Sequence, residues 1–266
     1  CRKYYFENCN IVFKTINDIK NNINNIKIYD IVGIQRDILD EFIKHCNLTV
    51  KCYIHIIDCH KSSCCKSNGY KNHLEFLESE YIIKLYSENW IGPTHNKLEI
   101  LPIGFSSNKI NILENYIKNI NILLFFEKTK NISSTFHHVL HNKKKCAWNG
   151  KLSDRQDVYN LFLNNHLIDF LPKLSYTEYL KHYNNYKFTI SPTGNGLDCH
   201  RTYEAIILNT ISIVRSNTLD PIYKEHDLPV VIVDEWSNVT QDKYGNRTKD
   251  KMKINYWKEL INSMKS

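Results

Sequence analysis

No long apolar run occurs in this chain of 266 residues. The longest, such as Ile122 to Phe126 and Ile211 to Val214, have the length of strands, far below the roughly 20 residues of a membrane-spanning helix. No membrane span is therefore expected. The chain opens on Cys1 and Arg2 with no apolar stretch behind them, so no secretory leader is expected either. It has no methionine at position 1 and is expected to be a trimmed chain of cytoplasmic location.

Several local signatures of site chemistry are missing as well. A second Cys-x-x-Cys or a His pair at finger spacing is absent, which leaves the cluster Cys59, His60, Cys64 and Cys65 without the partner a structural zinc site needs. No metal is expected. The nine cysteines are an odd number spread over a mid-sized chain, the usage of a reduced, intracellular protein more than of a disulfide scaffold.

What is present is a folding composition, with 42% hydrophobic and 12% aromatic residues, enough to build a core. The formal charge of +7 suits an anionic ligand: a nucleotide, a nucleic acid or an acidic glycan. The basic residues are scattered, however, and the one tight run, Lys143 to Lys145, reads as a solvated strand entry. No nucleic-acid partner is expected.

Along the chain, strand-like and helix-like segments alternate. "NIVFKTI", "KIYDIVG", "VKCYIHIID", "YIIKLYSEN" and "KLEILPIGF" read as strands, with helices expected over "QRDILDEFIKHC" and "YKNHLEFLESE". Residues 106–142 read as one or two helices with a polar hinge at Lys128 to Thr135. Then come the helix "SDRQDVYNLFLNNHL", capped by Ser153 or Asp154, the helix "LSYTEYLKHYNNY", and the strands "KFTIS", "ISIVRS" and "PVVIVDEW". The tail, "KMKINYWKELINSMKS", is an amphipathic helix. This alternation implies parallel βαβ units. The expected fold class is α/β, with two Rossmann-like lobes in tandem and a closing helix.

The most informative stretch is "KFTISPTGNGLDCHRTYEAIILNTISIV", residues 187–214. An apolar strand runs into a turn where Pro192 fixes φ and two glycines permit tight geometry. Asp198 is expected to cap a helix whose first turn carries Cys199, His200 and Arg201. The N–H groups of such a helix start form an anion site, and Arg201 adds a fork suited to phosphate oxygens. Glu204, three residues on, is placed to accept hydrogen bonds from ribose or sugar hydroxyls. The competing reading is an ordinary strand-to-helix connection with a local Arg201–Glu204 ion pair. The third glycine and downstream acid of the dinucleotide fingerprint are missing. There is also no GKS or GKT of a P-loop, and no Asp-x-Asp for a metal-chelated nucleotide sugar.

As a whole, the string "SPTGNGLDCHRTYEA", an apolar helix, "ISIV", "LDPIY", "LPVVIV" and "EW" resembles the C-terminal signature of exostosin-like glycosyltransferases of the GT-B architecture, including algal and giant-virus relatives. Upstream, "IHIIDCHKSS", "YSENW", "NKLEILPIGF" and "SDRQDV" resemble further segments of that family. The likeness spans roughly residues 50–240 and is strongest over 186–236. Asn209 and Ser212 stand where the family usually has Gly and Pro, and Glu88 where Gln is usual.

The resemblance implies a metal-independent transfer of a sugar, from a nucleotide-diphosphate donor such as a UDP- or GDP-sugar, to a hydroxyl of a glycan or glycoprotein. No cofactor is implied. It implies two lobes whose parallel sheets face a cleft. The acceptor lobe is 1–135 with the helix 250–266 closing back on it, and the donor lobe is 136–249. Donor contacts are expected from Ser191, Gly194, Asn195, Gly196, Asp198, His200, Arg201 and Glu204. Arg155 is a second phosphate ligand, or else a surface arginine. Glu88 and Asn89 fall on the acceptor side. Asp58, with His60 in reserve, is the expected base for an inverting transfer; as a simple turn or helix cap it would have no such role, and a retaining transfer needs no base. The alternative function is a degenerate nucleotide-sugar or glycan-binding module.

Overall fold

The computed structural model describes residues 8–35, 38–57, 69–90, 94–106, 108–134, 136, 154–164, 166–194 and 196–240. Asp58, His60, Asn195, the Cys59 to Cys65 cluster, Lys143 to Lys145 and the tail helix 250–266 lie outside these residues.

The described chain forms two compact units. The first takes the described residues of Cys1–Ser107 with Thr193–Asp198; the second takes those of Asn108–His141, Asp154–Pro192 and Cys199–Ser266. The first contains β1 (Ile11–Phe13), α1 (Ile16–Asn22), β2 (Ile31–Gln35), α2 (Leu39–His45), β3 (Cys52–Ile57), α3 (Gly69–Glu78), β4 (Ile82–Glu88) and β5 (Leu98–Leu101). Its five strands are all parallel and follow chain order, β1-β2-β3-β4-β5. Thr15 starts α1 through a capping box with Asp18, which satisfies two backbone donors at once. The core of this unit gathers Phe13, Val32, Ile34, Phe42, Ile54 and Ile56, all fully buried.

The second unit contains α4 (Ile110–Asn119), β6 (Lys130–Ser134), α5 (Asp154–Phe162), β7 (Ile168–Phe170), α6 (Tyr176–Asn185), β8 (Tyr186–Ile190), α7 (His200–Ile207), β9 (Ile211–Arg215), α8 (Asp220–Glu225) and β10 (Val230–Val233). Its parallel strands run in the order β10-β9-β8-β6-β7 around a core that includes Phe125, Val158, Phe188, Ile190 and Ile213. Two parallel α/β sheets were expected and are found. No described helix is long and apolar enough to cross a membrane.

Three expectations give way in the second unit. The helix starting at Asp154 stops at Phe162, and the strand β7 follows it, too short to leave an alternating pattern in the sequence. The polar stretch from Lys128 is no hinge, because β6 is an interior strand of this sheet, paired on both sides. Residues 130–134 therefore stand with the second sheet and not with the first lobe, where the sequence had placed them. The polarity of β6 misleads because Ser133 and Ser134 are fully buried, and the Ser133 carbonyl accepts the Thr189 hydroxyl at 3.3 Å.

Lys128 is buried to the same degree as the apolar core, at 2% exposure. Its Nζ donates to the carbonyls of Tyr183 (3.0 Å), Asn184 (3.1 Å) and Leu208 (2.8 Å) and to Thr210 Oγ1 (3.0 Å). Those carbonyls belong to the C-terminal ends of α6 and α7, where unpaired acceptors and the negative end of the helix dipole favour a cation. Burial pulls the ammonium down to about 7; the oxygen cage opposes that and favours the charged form. The end of α7 is further closed by a Schellman motif. The N–H of Thr210 reaches the Ala205 carbonyl at 2.9 Å and that of Asn209 reaches Ile206 at 3.0 Å, with Asn209 at a left-handed φ of 55°. Asparagine tolerates that conformation.

Candidate functional site

In the second sheet the chain reverses direction between β6 and β8: β7 lies on one side of β6, while β8, β9 and β10 extend on the other. Ligands of doubly wound sheets bind outside the carboxyl ends of the strands at such a reversal. The first sheet, in chain order throughout its described strands, has none. At the reversal Ser134, the last residue of β6, pairs with Ile190, the last residue of β8. Ser191 comes next, with its hydroxyl 2.9 Å from that of Thr202 on α7.

Arg201 sits in the first turn of α7 and is 8% exposed. Its Nη2 donates to the Pro192 carbonyl at 2.9 Å and to Cys199 Sγ at 3.2 Å. Nε is buried and finds no acceptor among the described residues, and no carboxylate there lies within ion-pairing distance. Burial opposes the charge, but the Cys199 sulfur, Tyr179, Tyr183 and Glu204 together raise the proton affinity of the guanidinium. A buried cation short of one acceptor and of a counter-ion is a costly arrangement unless an anion completes it.

Glu204, one turn further along α7, is 4% exposed. It does not pair with Arg201. Its Oε1 accepts from the Tyr176 hydroxyl at 2.8 Å and its Oε2 from the Tyr179 hydroxyl at 3.0 Å. Tyr179 is in turn 2.8 Å from the hydroxyl of Tyr183, and the Lys109 ammonium stands 4.4 Å from the Tyr176 ring centroid. The local ion pair that would have made this segment an ordinary connection is thus absent, and the carboxylate is held by tyrosines of α6. Burial raises the carboxyl above its ordinary range, and Tyr176, Tyr179, Lys109 and Arg201 draw it back.

A group that binds its proton more tightly folded than unfolded contributes stability below its unfolded pKa and loses it as pH rises through the folded value. Glu204→Gln keeps the shape and removes the titration. The wild type is expected to lose more stability than the variant between about pH 4 and about pH 7, as measured by urea unfolding at both pH values. Parallel curves for the two proteins would contradict this.

The glycine turn belongs to the first compact unit. The N–H of Gly194 donates to the Gly196 carbonyl at 2.9 Å. A Cβ at Gly196 would come within 2.6 Å of Asn89 Oδ1, so only glycine fits there without a shift. Asn89, at a left-handed φ of 50°, accepts the N–H of Asp198 at 2.6 Å. Asp198 was expected to cap α7. Cys199 occupies that position, without a side-chain cap bond, and the Asp198 carboxylate instead accepts the N–H of Ile103 at 2.8 Å. The competitor was 95 residues away in sequence.

The structure thus joins Asn89 with Gly194, Gly196 and Asp198 in one unit, and Ser191, Arg201 and Glu204 in the other. Glu88 is buried at the end of β4. His200 is half-buried at the start of α7, as is Arg155 in the first turn of α5. In the "SDRQDV" segment the anchored residue is Asp154, which accepts from Trp236 Nε1 at 2.8 Å and pairs with Arg215 at 3.0 Å. Sequence reasoning missed Ser134, Tyr176, Tyr179 and Lys109. The i, i+3, i+7 spacing of Tyr176, Tyr179 and Tyr183 marks one face of α6 and was the available signal. Among the described residues no group of three or more His, Cys, Asp or Glu is placed to hold a metal ion. No protein-family model matches the chain, and no curated protein matches it in sequence.

Proposed function

We propose that the chain is a glycosyltransferase of the GT-B kind, exostosin-like, which moves a sugar from a nucleotide-diphosphate donor to a hydroxyl of a glycan or protein. The observation that carries this reading is Arg201, a buried guanidinium with an unpartnered Nε and no acidic partner among the described residues. It lies on the helix that follows the strand at the sheet reversal. A diphosphate supplies the missing acceptor and the missing charge. The likeness of 186–236 to the family signature supports the same assignment.

In the transfer the bond from the sugar's anomeric carbon to the diphosphate oxygen breaks, and negative charge grows on the leaving group. Arg201 and the N–H groups at the start of α7 are fixed donors for that charge and need no metal. The acceptor hydroxyl forms the new bond and gives up its proton. Glu204, with both oxygens engaged by tyrosines, positions α6 against α7 and meets a donor hydroxyl only if one tyrosine gives way.

A panel of UDP- and GDP-sugars, assayed for hydrolysis and transfer with EDTA present, tests the reading. Turnover of at least one donor is expected. Donor binding without turnover would leave the binding-module function, and binding of none would overturn both.

A further inference from the structure

A polar atom buried without a partner weakens the fold that holds it, and such atoms are rare enough in native proteins that each calls for a reason. In the second unit two described side-chain atoms are of this kind, Arg201 Nε and Ser134 Oγ. The diphosphate proposed above accounts for the guanidinium. It leaves the serine without a role.

Ser134 is the last residue of β6 and stands at the sheet reversal, between Phe170, the last residue of β7, and Ile190, the last residue of β8. Its carbonyl accepts the N–H of Leu171 at 3.4 Å. Pro192, two residues beyond Ile190, presents the carbonyl that Arg201 Nη2 holds at 2.9 Å. The two unpartnered atoms therefore reach the carboxyl end of one sheet by separate routes. One arrives on a strand, the other on the helix that follows the neighbouring strand.

Side chains alternate along a strand, and the two serines of β6 have opposite fates. Ser133 is as fully buried as Ser134, yet its hydroxyl donates to the Phe188 carbonyl at 3.5 Å. On the face of Ser134 stand Ile132, one step back along β6, and the register partners Phe170 and Ile190. None of these side chains offers an acceptor. Alanine would fill the position and leave no hydroxyl unmet.

We infer that Ser134 is a phosphate-binding residue: turned about its single side-chain torsion toward the end of β6, its hydroxyl donates to a phosphate oxygen of the nucleotide that Arg201 holds. The inference rests on the nucleotide reading above and names a second group of that site. A hydroxyl bonded to an anionic oxygen makes a short, charge-assisted hydrogen bond. Arg201 supplies the charge. Ser134 adds a neutral, directional donor from a second strand, which fixes where the phosphate sits.

Calorimetric titration of the full chain with UDP, GDP, uridine and guanosine, together with urea unfolding in the absence of ligand, tests the assignment. Ser134→Ala is expected to bind the diphosphates about tenfold more weakly, with nucleoside affinity unchanged. Its urea midpoint is expected to stay at or above that of the wild type, because the free protein loses only an unmet hydroxyl. Ser133→Ala, which removes the bonded neighbour, is expected to change neither affinity. Equal diphosphate affinity in Ser134→Ala, or a loss shared by the nucleosides or by Ser133→Ala, overturns the assignment and leaves the nucleotide reading in place. A lowered midpoint in Ser134→Ala overturns it as well, since the hydroxyl would then have a structural partner such as a trapped water. A wild type that binds neither diphosphate overturns the assignment and the nucleotide reading together.

Discussion

Replacing Lys128 by methionine is expected to cost about 2–6 kcal/mol of unfolding free energy, the sum for two buried carbonyls left without a donor. Methionine fills much the same volume, so the loss comes from the acceptors left behind and not from a cavity. The carbonyls of Asn184 and Leu208 lose their Nζ donor, and the Tyr183 carbonyl keeps the Thr210 hydroxyl at 2.7 Å. Each buried acceptor deprived of a donor costs about 1–3 kcal/mol. Lys128→Arg is expected to be damaging too, because a planar fork cannot reach four oxygens arranged around one ammonium. Chemical denaturation measures both. A methionine variant within about 1 kcal/mol of wild type would mean that the cage contributes little net stability.

The second large effect is on ligand binding. Arg201→Ala is expected to weaken nucleoside-diphosphate affinity by about 1.5–3 kcal/mol, roughly ten- to a hundredfold in Kd, with the nucleoside alone hardly affected. The difference between the two ligands isolates the phosphates. Since Arg201 also holds the Pro192 carbonyl, Arg201→Lys serves as the companion variant. It keeps a cation at the site and loses the paired geometry, so an intermediate affinity is expected. Calorimetric titration of wild type and both variants with UDP and GDP measures this. Equal affinities in folded variants would remove Arg201 from the phosphate site.

The sequence made the alternation of strands and helices legible because parallel strands buried on both faces are short apolar runs bounded by turns. "KFTIS", "ISIVRS" and "PVVIVDEW" became β8, β9 and β10 with little adjustment. β6 stayed hidden because its buried positions carry serines, and because Lys128, a residue normally at the surface, stands just ahead of it. Of those serines, Ser133 donates its hydroxyl to the Phe188 carbonyl at 3.5 Å, while the Ser134 hydroxyl has no partner among the described residues. The site was legible as a list of residues and illegible as a set of partners. Arg201 and Glu204 share a helix face at the spacing of an ion pair, yet Glu204 goes to two tyrosines about 25 positions earlier in the chain. Asp198 had the right type for an N-cap but stands one residue before that position, and its carboxylate accepts the N–H of Ile103 instead. Local spacing fixes which groups are neighbours along one element, and only tertiary packing decides which of them bond.

The short excursion Thr193–Asp198 has a consequence for how the chain is made. The first unit holds its own sheet by Leu101, but Asn89 and the N–H of Ile103 find their partners on Asp198. Until synthesis has passed that aspartate, these two groups stay with water or with transient partners, although every strand of the first sheet has already emerged. Completion of the earlier unit is therefore tied to the synthesis of β8, a strand of the later one. Any fragment that ends before Asp198 carries a finished sheet with two of its loop contacts unmade.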